Sequence, residues 1–251
     1  MLTKLGYQVW APNQRGYGNS YRPAGVEEYV IPNLLSDIAG IIDAAQAKSV
    51  TIIAHDWGAA IAWLFAIRKI RPIDRLVIMN APHPLAFAKN RNMEQMLKSW
   101  YFFFFQTPFL PEFFLCSNHG RQVRNLILAT VTHPENFSED VLEACSENVS
   151  THAKARTLIN WYRANIPTEM IKQIKAGIPI IETPTLMIWG ESDAYLLKRM
   201  TLGTENYVKD FRIRYLKGMS HFVQTDAPNA VNAMIQAFLT DRTVPEYEDV
   251  K

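Results

Sequence analysis

The sequence has few of the features that define several classes of protein. Its 251 residues include two cysteines, Cys116 and Cys145, which are too few for a disulfide framework and suit a reducing compartment. No apolar run approaches the ~20 residues of a membrane span, and the first residues lack the apolar core of a signal peptide. We therefore expect a cytoplasmic protein.

Sequence signals for charged or metallic partners are also missing. The net charge is +2 and no basic run occurs, which argues against nucleic acid as a partner. His119, His133 and His152 lack the spacing of metal ligands, so we predict no metal and no cofactor. The sequence leaves the oligomeric state open.

What is present is typical of a globular enzyme. Hydrophobic residues make up 48% of the chain and charged residues 20%, and this length suits one domain with an insertion. Apolar runs that suit strands alternate with segments of helical spacing, which indicates an α/β fold with a mostly parallel sheet covered by helices on both sides. The predicted strands are Gly6–Ala11, Val50–Ala54, Arg75–Asn80, Thr185–Trp189 and Phe211–Leu216.

The middle of the chain differs from its two ends. Residues 85–182 are rich in aromatic residues, follow helical spacing and show no clear strand, so we interpret them as a helical lid. Residues 1–84 and 183–251 would then form the sheet domain. Within the lid, Tyr101–Phe105 is interpreted as the buried face of a helix.

A strand, a sharp turn and a helix are predicted around His55-Asp56-Trp57-Gly58. This is the layout of a nucleophile elbow, in which the central residue is more often Ser. A carboxylate attacks an alkyl carbon well because the product is an ordinary ester, whereas attack on an amide or ester would give an anhydride. Asp56 therefore predicts a hydrolase of carbon–oxygen or carbon–halogen bonds. The competing interpretation is an Asp that only caps the next helix.

Two further residues follow predicted strands in the order that such hydrolases use, which is nucleophile, acid and then His. Asp193 follows the strand at Thr185–Trp189, and His221 follows the strand at Phe211–Leu216 and precedes the last helix. The carboxyl ends of parallel strands are where open α/β sheets bind ligands. The alternatives are a turn aspartate and a surface histidine.

With these residues in place, the chain resembles the epoxide hydrolases of the α/β-hydrolase superfamily. The resemblance covers nearly the whole chain and rests on five motifs: Ala11-Pro12-Asn13-Gln14-Arg15-Gly16-Tyr17-Gly18-Asn19-Ser20, His55-Asp56-Trp57-Gly58, Asn80-Ala81-Pro82-His83-Pro84, Trp189-Gly190-Glu191-Ser192-Asp193 and Ser220-His221-Phe222-Val223-Gln224. It implies an Asp–His–Asp triad of Asp56, His221 and Asp193.

The resemblance also implies a reaction and a substrate class. Asp56 would open a small apolar epoxide to a 1,2-diol through a covalent ester that water then hydrolyses. Two lid tyrosines would hold and protonate the epoxide oxygen, and their patterns match Tyr101 and Tyr162. A neutral phenol can donate to an oxygen anion. Each Tyr could instead be a packing residue.

Further side chains are expected around the substrate. The Trp57 backbone N–H would contribute to the oxyanion site, and the resemblance places Trp57, Trp161 and Phe222 in substrate binding. The phenylalanines after Tyr101 are expected to line the same apolar cavity. His55 is expected to shape the elbow, and His83 to be structural.

The chain also departs from the family pattern. Family members carry a preceding segment with two or three strands and a His-Gly-x-Pro motif that supplies part of the oxyanion hole, and this sequence contains no such motif. We therefore expect an α/β-hydrolase fold whose first strands are missing. Two other functions remain open: a haloalkane or haloacid dehalogenase with the same nucleophile, and a catalytically dead, truncated scaffold.

Overall fold

A computed structural model of the chain describes residues 1–165 and 179–251. Its centre is a four-stranded sheet in which every neighbouring pair is parallel and the strand order follows the chain. The strands are β1 (Thr51–His55), β2 (Arg75–Met79), β3 (Thr185–Gly190) and β4 (Phe211–Leu216). The predicted parallel α/β fold is confirmed, and all four carboxyl ends lie at one edge of the sheet.

Helices cover both faces of this sheet. Helices α1 (Ile31–Ala45) and α2 (Asp56–Ile67) pack against the strand residues of one face, and their shared core includes Leu76, Ile78 and Trp189. The opposite face carries α10 (Val223–Asp226) and α11 (Pro228–Leu239). Alternate residues of β2 therefore enter different cores, which explains its continuous apolar sequence.

The chain between β2 and β3 is helical where the structure describes it. Seven helices occur there: α3 (Pro84–Asn90), α4 (Met93–Lys98), α5 (Trp100–Gln106), α6 (Leu110–Cys116), α7 (Arg121–Thr130), α8 (Glu139–Glu147) and α9 (His152–Ala164). Residues 166–178 of the predicted lid lie outside the described residues. No helix among the described residues is long and apolar enough to cross a membrane.

The predicted strand at Gly6–Ala11 is wrong. Leu2–Leu5 forms a short 3-10 helix, and the following residues run without a strand partner. Val9 and Trp10 are half exposed, and the segment lines a cavity of about 790 Å³ together with α1 and β1. Because a strand requires a paired backbone, this separation leaves β1 as the terminal strand of the sheet.

The aromatic run was also only partly predicted. Tyr101–Phe105 lies within α5, where Phe105 is buried but Phe103 is 66% exposed. Successive residues of an α-helix turn by about 100°, so five consecutive aromatic rings surround the helix and cannot share one face. The interpretation of the whole run as a buried face is therefore wrong for Phe103.

Candidate active site

The junction of β1 and α2 forms a tight turn at Asp56. Strand β1 ends at His55, and α2 begins at the next residue. Asp56 has a φ of 50°, a left-handed conformation that is uncommon for any residue other than glycine. Its carboxylate is therefore presented at the amino end of α2, where the helix dipole stabilises a negative charge.

His221 lies between the two predicted acids. Its Nδ1 donates to Asp193 Oδ2 at 2.7 Å, and its Nε2 is 3.4 Å from Asp56 Oδ1. The Asp193 and His221 side chains are almost fully buried, whereas 45% of the Asp56 side chain is exposed. The three residues come from the carboxyl ends of β1, β3 and β4, so the sheet brings distant parts of the chain together.

The two carboxylates and the imidazole shift one another's pKa. Burial alone would lower the pKa of His221, but the charges and hydrogen bonds of Asp193 and Asp56 raise it to about 10. The Asp56 side chain is partly exposed, but the protein around its carboxylate still removes enough water to favour a higher pKa. The hydrogen bond and charge of His221 outweigh this effect and lower the Asp56 pKa to about 2. Asp193 also has a lowered pKa, because His221 and Asn80 outweigh its burial. At neutral pH, Asp56 is ionised and available as a nucleophile.

Tyr101 and Tyr162 meet beside this group. Their rings are 5.9 Å apart, and Trp57 contacts the Tyr162 ring at 5.2 Å. Burial, followed by the negative charge of Asp56, raises the pKa of both phenols well above the ordinary value. Both hydroxyls are thus protonated at neutral pH and can donate a hydrogen bond.

Arg163 connects the two helices that carry these tyrosines and also joins them to α6. Arg163, next to Tyr162 on α9, donates to the carbonyl oxygens of Phe105 and Thr107 at the end of α5. The same guanidinium pairs with both oxygens of the buried Glu112 carboxylate on α6. These contacts of Arg163 hold α9 against the end of α5 and thereby restrain Tyr162 relative to Tyr101.

The three predicted substrate-binding aromatics occupy different environments. Trp57 touches Phe102 and Tyr162, and Phe222 packs against His221 and His55. Trp161 is 1% exposed and its indole N–H donates to the Arg15 carbonyl oxygen. Trp161 therefore supports Trp57 from behind, and its direct contact with a substrate stays a prediction.

The chain matches the family model described as the alpha/beta hydrolase fold over residues 2–228. It is 33% identical over 255 residues to epoxide hydrolase 2 of Caenorhabditis elegans, across 99% of this chain and 70% of that protein. Epoxide hydrolase 4 of Mus musculus is 35% identical over 247 residues, across 96% of this chain and 67% of that protein. This chain is an epoxide hydrolase family member of the alpha/beta hydrolase superfamily.

A solved structure agrees with this assignment. The epoxide hydrolase of Bacillus megaterium, crystallised with an inhibitor, has a TM-score of 0.80 and 26% sequence identity. The match covers 90% of this chain and 82% of that chain. The prediction of an epoxide hydrolase-like enzyme is confirmed at the level of the family.

The site of this family member includes a residue that sequence reasoning left without a role. Asn80 follows β2, is fully buried and has a φ of 40°. Its amide nitrogen donates to Asp193 Oδ2 at 2.7 Å, and its amide oxygen accepts from the Gly190 backbone N–H at 3.0 Å. A polar residue directly after a buried strand was the available signal. Asn80 fixes the carboxylate that orients His221.

Two other side chains hold the loops around the site. His55 Nε2 donates to the His221 carbonyl oxygen at 2.9 Å, and burial lowers the His55 pKa to about 4, so the ring is neutral. The buried Gln95 of α4 accepts from the Leu197 backbone N–H and donates to the Tyr195 carbonyl oxygen. Tyr195 in turn packs its ring against His221. Helix α4 is thus connected directly to the loop of Asp193.

The arrangement combines an ionised carboxylate, an imidazole and two neutral phenols. Such a set can attack an electrophilic carbon, supply a proton to a departing oxygen and later accept a proton from water. Among residues 1–165 and 179–251, no group of three His, Cys, Asp or Glu side chains is arranged to hold a metal ion.

Proposed function

We propose that the chain hydrolyses a small apolar epoxide to a 1,2-diol through a covalent ester on Asp56. The observation that carries this proposal is the position of His221 between Asp56 and Asp193. Two protonated tyrosines, Tyr101 and Tyr162, lie close enough to Asp56 for its charge to raise the pKa of both phenols. The names of the curated relatives indicate the epoxide substrate. Water is the second substrate.

In the first step, one Asp56 oxygen attacks the less hindered epoxide carbon. A carbon–oxygen ester bond forms as the epoxide carbon–oxygen bond breaks, and the released oxygen takes a proton from Tyr101 or Tyr162. Both phenols can donate because the site keeps them neutral. The lowered pKa of Asp56 keeps the nucleophile ionised.

The second step depends on a change in charge at Asp56. The charges of Asp193 and Asp56 both raise the His221 pKa, and the charge of Asp56 disappears when its carboxylate becomes an ester. The imidazolium then releases its proton more easily, and this proton restores the tyrosine that gave up its own in the first step. The neutral ring can now accept a proton from water, which attacks the ester carbonyl carbon. The backbone N–H of Trp57, which already interacts with Asp56, would stabilise the oxygen anion that forms. Release of the diol restores the carboxylate.

The helical segment has a place in this proposal as the lid of the site. Residues 1–84 and 183–251 would supply the triad, and residues 85–182 the two tyrosines. Trp57, Phe102 and Phe222 would present apolar surface to the substrate.

A dehalogenase with the same nucleophile is the second candidate, but a departing halide needs no proton. The protonated pair of Tyr101 and Tyr162 therefore favours an epoxide.

Trapping the ester tests the proposal. With His221 replaced by Gln, Asp56 should still be alkylated, but hydrolysis of the ester should be lost. Intact-protein mass spectrometry after mixing H221Q with styrene oxide should show a gain of one substrate mass, located on the peptide that contains Asp56. The variant Asp56→Ala is the matched control and should gain no mass. Unmodified H221Q under conditions where the wild-type enzyme turns over would contradict the covalent route.

A further inference from the structure

A row of large apolar side chains runs along the outer side of α4 and α5. Met93, Met96, Leu97, Trp100 and Phe103 follow helical spacing, and a single residue separates the two helices. Each of these side chains is between 50% and 69% exposed. Tyr101, next to Trp100, points instead toward Tyr162 and Tyr195. Helix α5 thus has one side toward the site and one toward solvent.

Helix α6 extends this surface. Phe109, Leu110 and Phe113 are each more than 60% exposed. The half-buried Phe104 bridges the two parts, because its ring contacts Trp100 on α5 and Phe114 on α6 at about 6 Å. We call the eight exposed residues the apolar stripe. Soluble monomers rarely expose so many adjacent large apolar side chains without a binding role.

The charges beside the apolar stripe are mostly positive. Lys89 and Arg91 precede α4 and are exposed, and Arg121 is exposed at the first position of α7. Between Lys89 and Arg121 the sequence contains two acidic residues. Glu94 is exposed, whereas Glu112 is buried and neutralised by Arg163. The surface therefore combines apolar side chains with three exposed cations and one exposed carboxylate.

We propose that the apolar stripe docks on the surface of a membrane that contains anionic lipid. Trp, Phe, Leu and Met side chains can enter the headgroup boundary, while neighbouring Lys and Arg residues meet anionic headgroups. A second copy of the chain fits this surface less well. A two-fold dimer through the apolar stripe would bring together two copies of the same surface, each with an excess of exposed cations.

Vesicle co-sedimentation tests the proposal without reference to the reaction. The whole chain should bind vesicles of phosphatidylcholine with phosphatidylserine, more weakly vesicles of phosphatidylcholine alone, and less as salt is raised. Trp100→Ser with Phe103→Ser should reduce partitioning about tenfold or more, because two inserted aromatic rings are lost. Leu110→Ser with Phe113→Ser should have the same effect from the other end of the stripe. Arg91→Gln with Arg121→Gln should remove the preference for phosphatidylserine.

The matched controls change exposed residues outside the stripe. Leu202→Ser and Arg199→Gln should leave vesicle binding unchanged, and thermal unfolding should show that each variant folds. Failure of the wild-type chain to bind vesicles, or binding by both stripe variants as strong as that of the wild type, would overturn the proposal. Sedimentation velocity gives one further outcome. A dimer that dissociates in the stripe variants, without lipid binding by the wild type, would assign the surface to a second copy instead.

Discussion

At the scale of single residues, the candidate site depends on two unusual backbone positions. Asp56 and Asn80 both follow a strand of the parallel sheet, and both have a positive φ. Such conformations cost free energy and tend to persist where the surrounding structure holds them for a function. Asp56 presents its carboxylate to His221, while Asn80 turns its amide toward Asp193.

Asn80 allows a direct test of this support. Asn80→Gly introduces a residue that tolerates the positive φ but removes the side-chain hydrogen bonds to Asp193 and Gly190. Loss of a hydrogen bond to a charged group costs about 1.5–3 kcal/mol, so we expect hydrolysis of the ester to slow by about 10–100-fold. Rapid-quench measurement of the two steps should show alkylation less affected than hydrolysis.

The control for this variant is Asn33→Gly, which removes an amide that contacts only backbone carbonyl groups near α1. Its turnover should match that of the wild type. Ester hydrolysis at the wild-type rate by the folded N80G variant would show that Asp193 functions without the hydrogen bond from Asn80.

At the scale of helices and strands, the proposed reaction depends on two helices that each carry a tyrosine. Tyr101 is carried by α5 and Tyr162 by α9. Arg163 of α9 joins these two helices by donating to the carbonyl oxygens of Phe105 and Thr107. Replacing both tyrosines by Phe removes the two hydroxyl donors but keeps both rings. We expect the rate at which the epoxide alkylates Asp56 to fall by a factor of at least ~10², because general acid catalysis is lost.

A haloalkane substrate provides the internal control for that double variant. Any activity of the wild-type enzyme toward a 1-haloalkane should survive in Tyr101→Phe with Tyr162→Phe, because a halide leaves without a proton. The expected measurements are diol formation by chromatography and halide release by ion electrode. Epoxide opening at the wild-type rate would refute the assignment of the tyrosines.

Element boundaries were predictable where hydrophobic patterning and pairing agree. The strand at Phe211–Leu216 was predicted with its observed bounds, and the strand after Val50 was displaced by one residue. The pattern failed at Gly6–Ala11, because an apolar alternation does not reveal whether a partner strand is available. It also failed at Phe103, because a run of similar residues does not indicate which of them face the core and which face solvent.

The candidate site was predictable in its motif residues and less so in its supports. Asp56, Asp193 and His221 follow strands in a recognisable order, and the structure brings them together. Gln95 and Tyr195 gave no such signal, because their contacts join segments about 100 residues apart. Only the packing of α4 against the Asp193 loop makes them neighbours.

At the scale of the whole molecule, folding brings the charges of Asp56, Asp193 and His221 together, and this makes the free energy of unfolding depend on pH. His221 gains two carboxylate neighbours on folding, which raises its pKa from 6.5 to about 10. The folded state therefore binds a proton more tightly than the unfolded state. The resulting stabilisation is fully present below pH 6.5, declines above it and is lost as the pH passes about 10.

The variant His221→Gln isolates this contribution. The difference in free energy of unfolding between wild type and H221Q should be largest near pH 6 and shrink steadily toward pH ~10. Urea unfolding followed by circular dichroism at several pH values measures it. A difference that grows with pH would mean that His221 is neutral in the folded enzyme.

Isotope transfer is the decisive test of whether Asp56 forms the covalent bond. A single turnover with excess enzyme in water labelled with heavy oxygen should place the label in the Asp56 carboxylate, because water attacks the ester carbonyl carbon. Mass spectrometry of the peptide that contains Asp56 would then show one heavy oxygen, and the first diol released would carry none. Heavy oxygen in the diol, with an unlabelled Asp56, would mean that water attacks the epoxide directly and that no ester forms on Asp56.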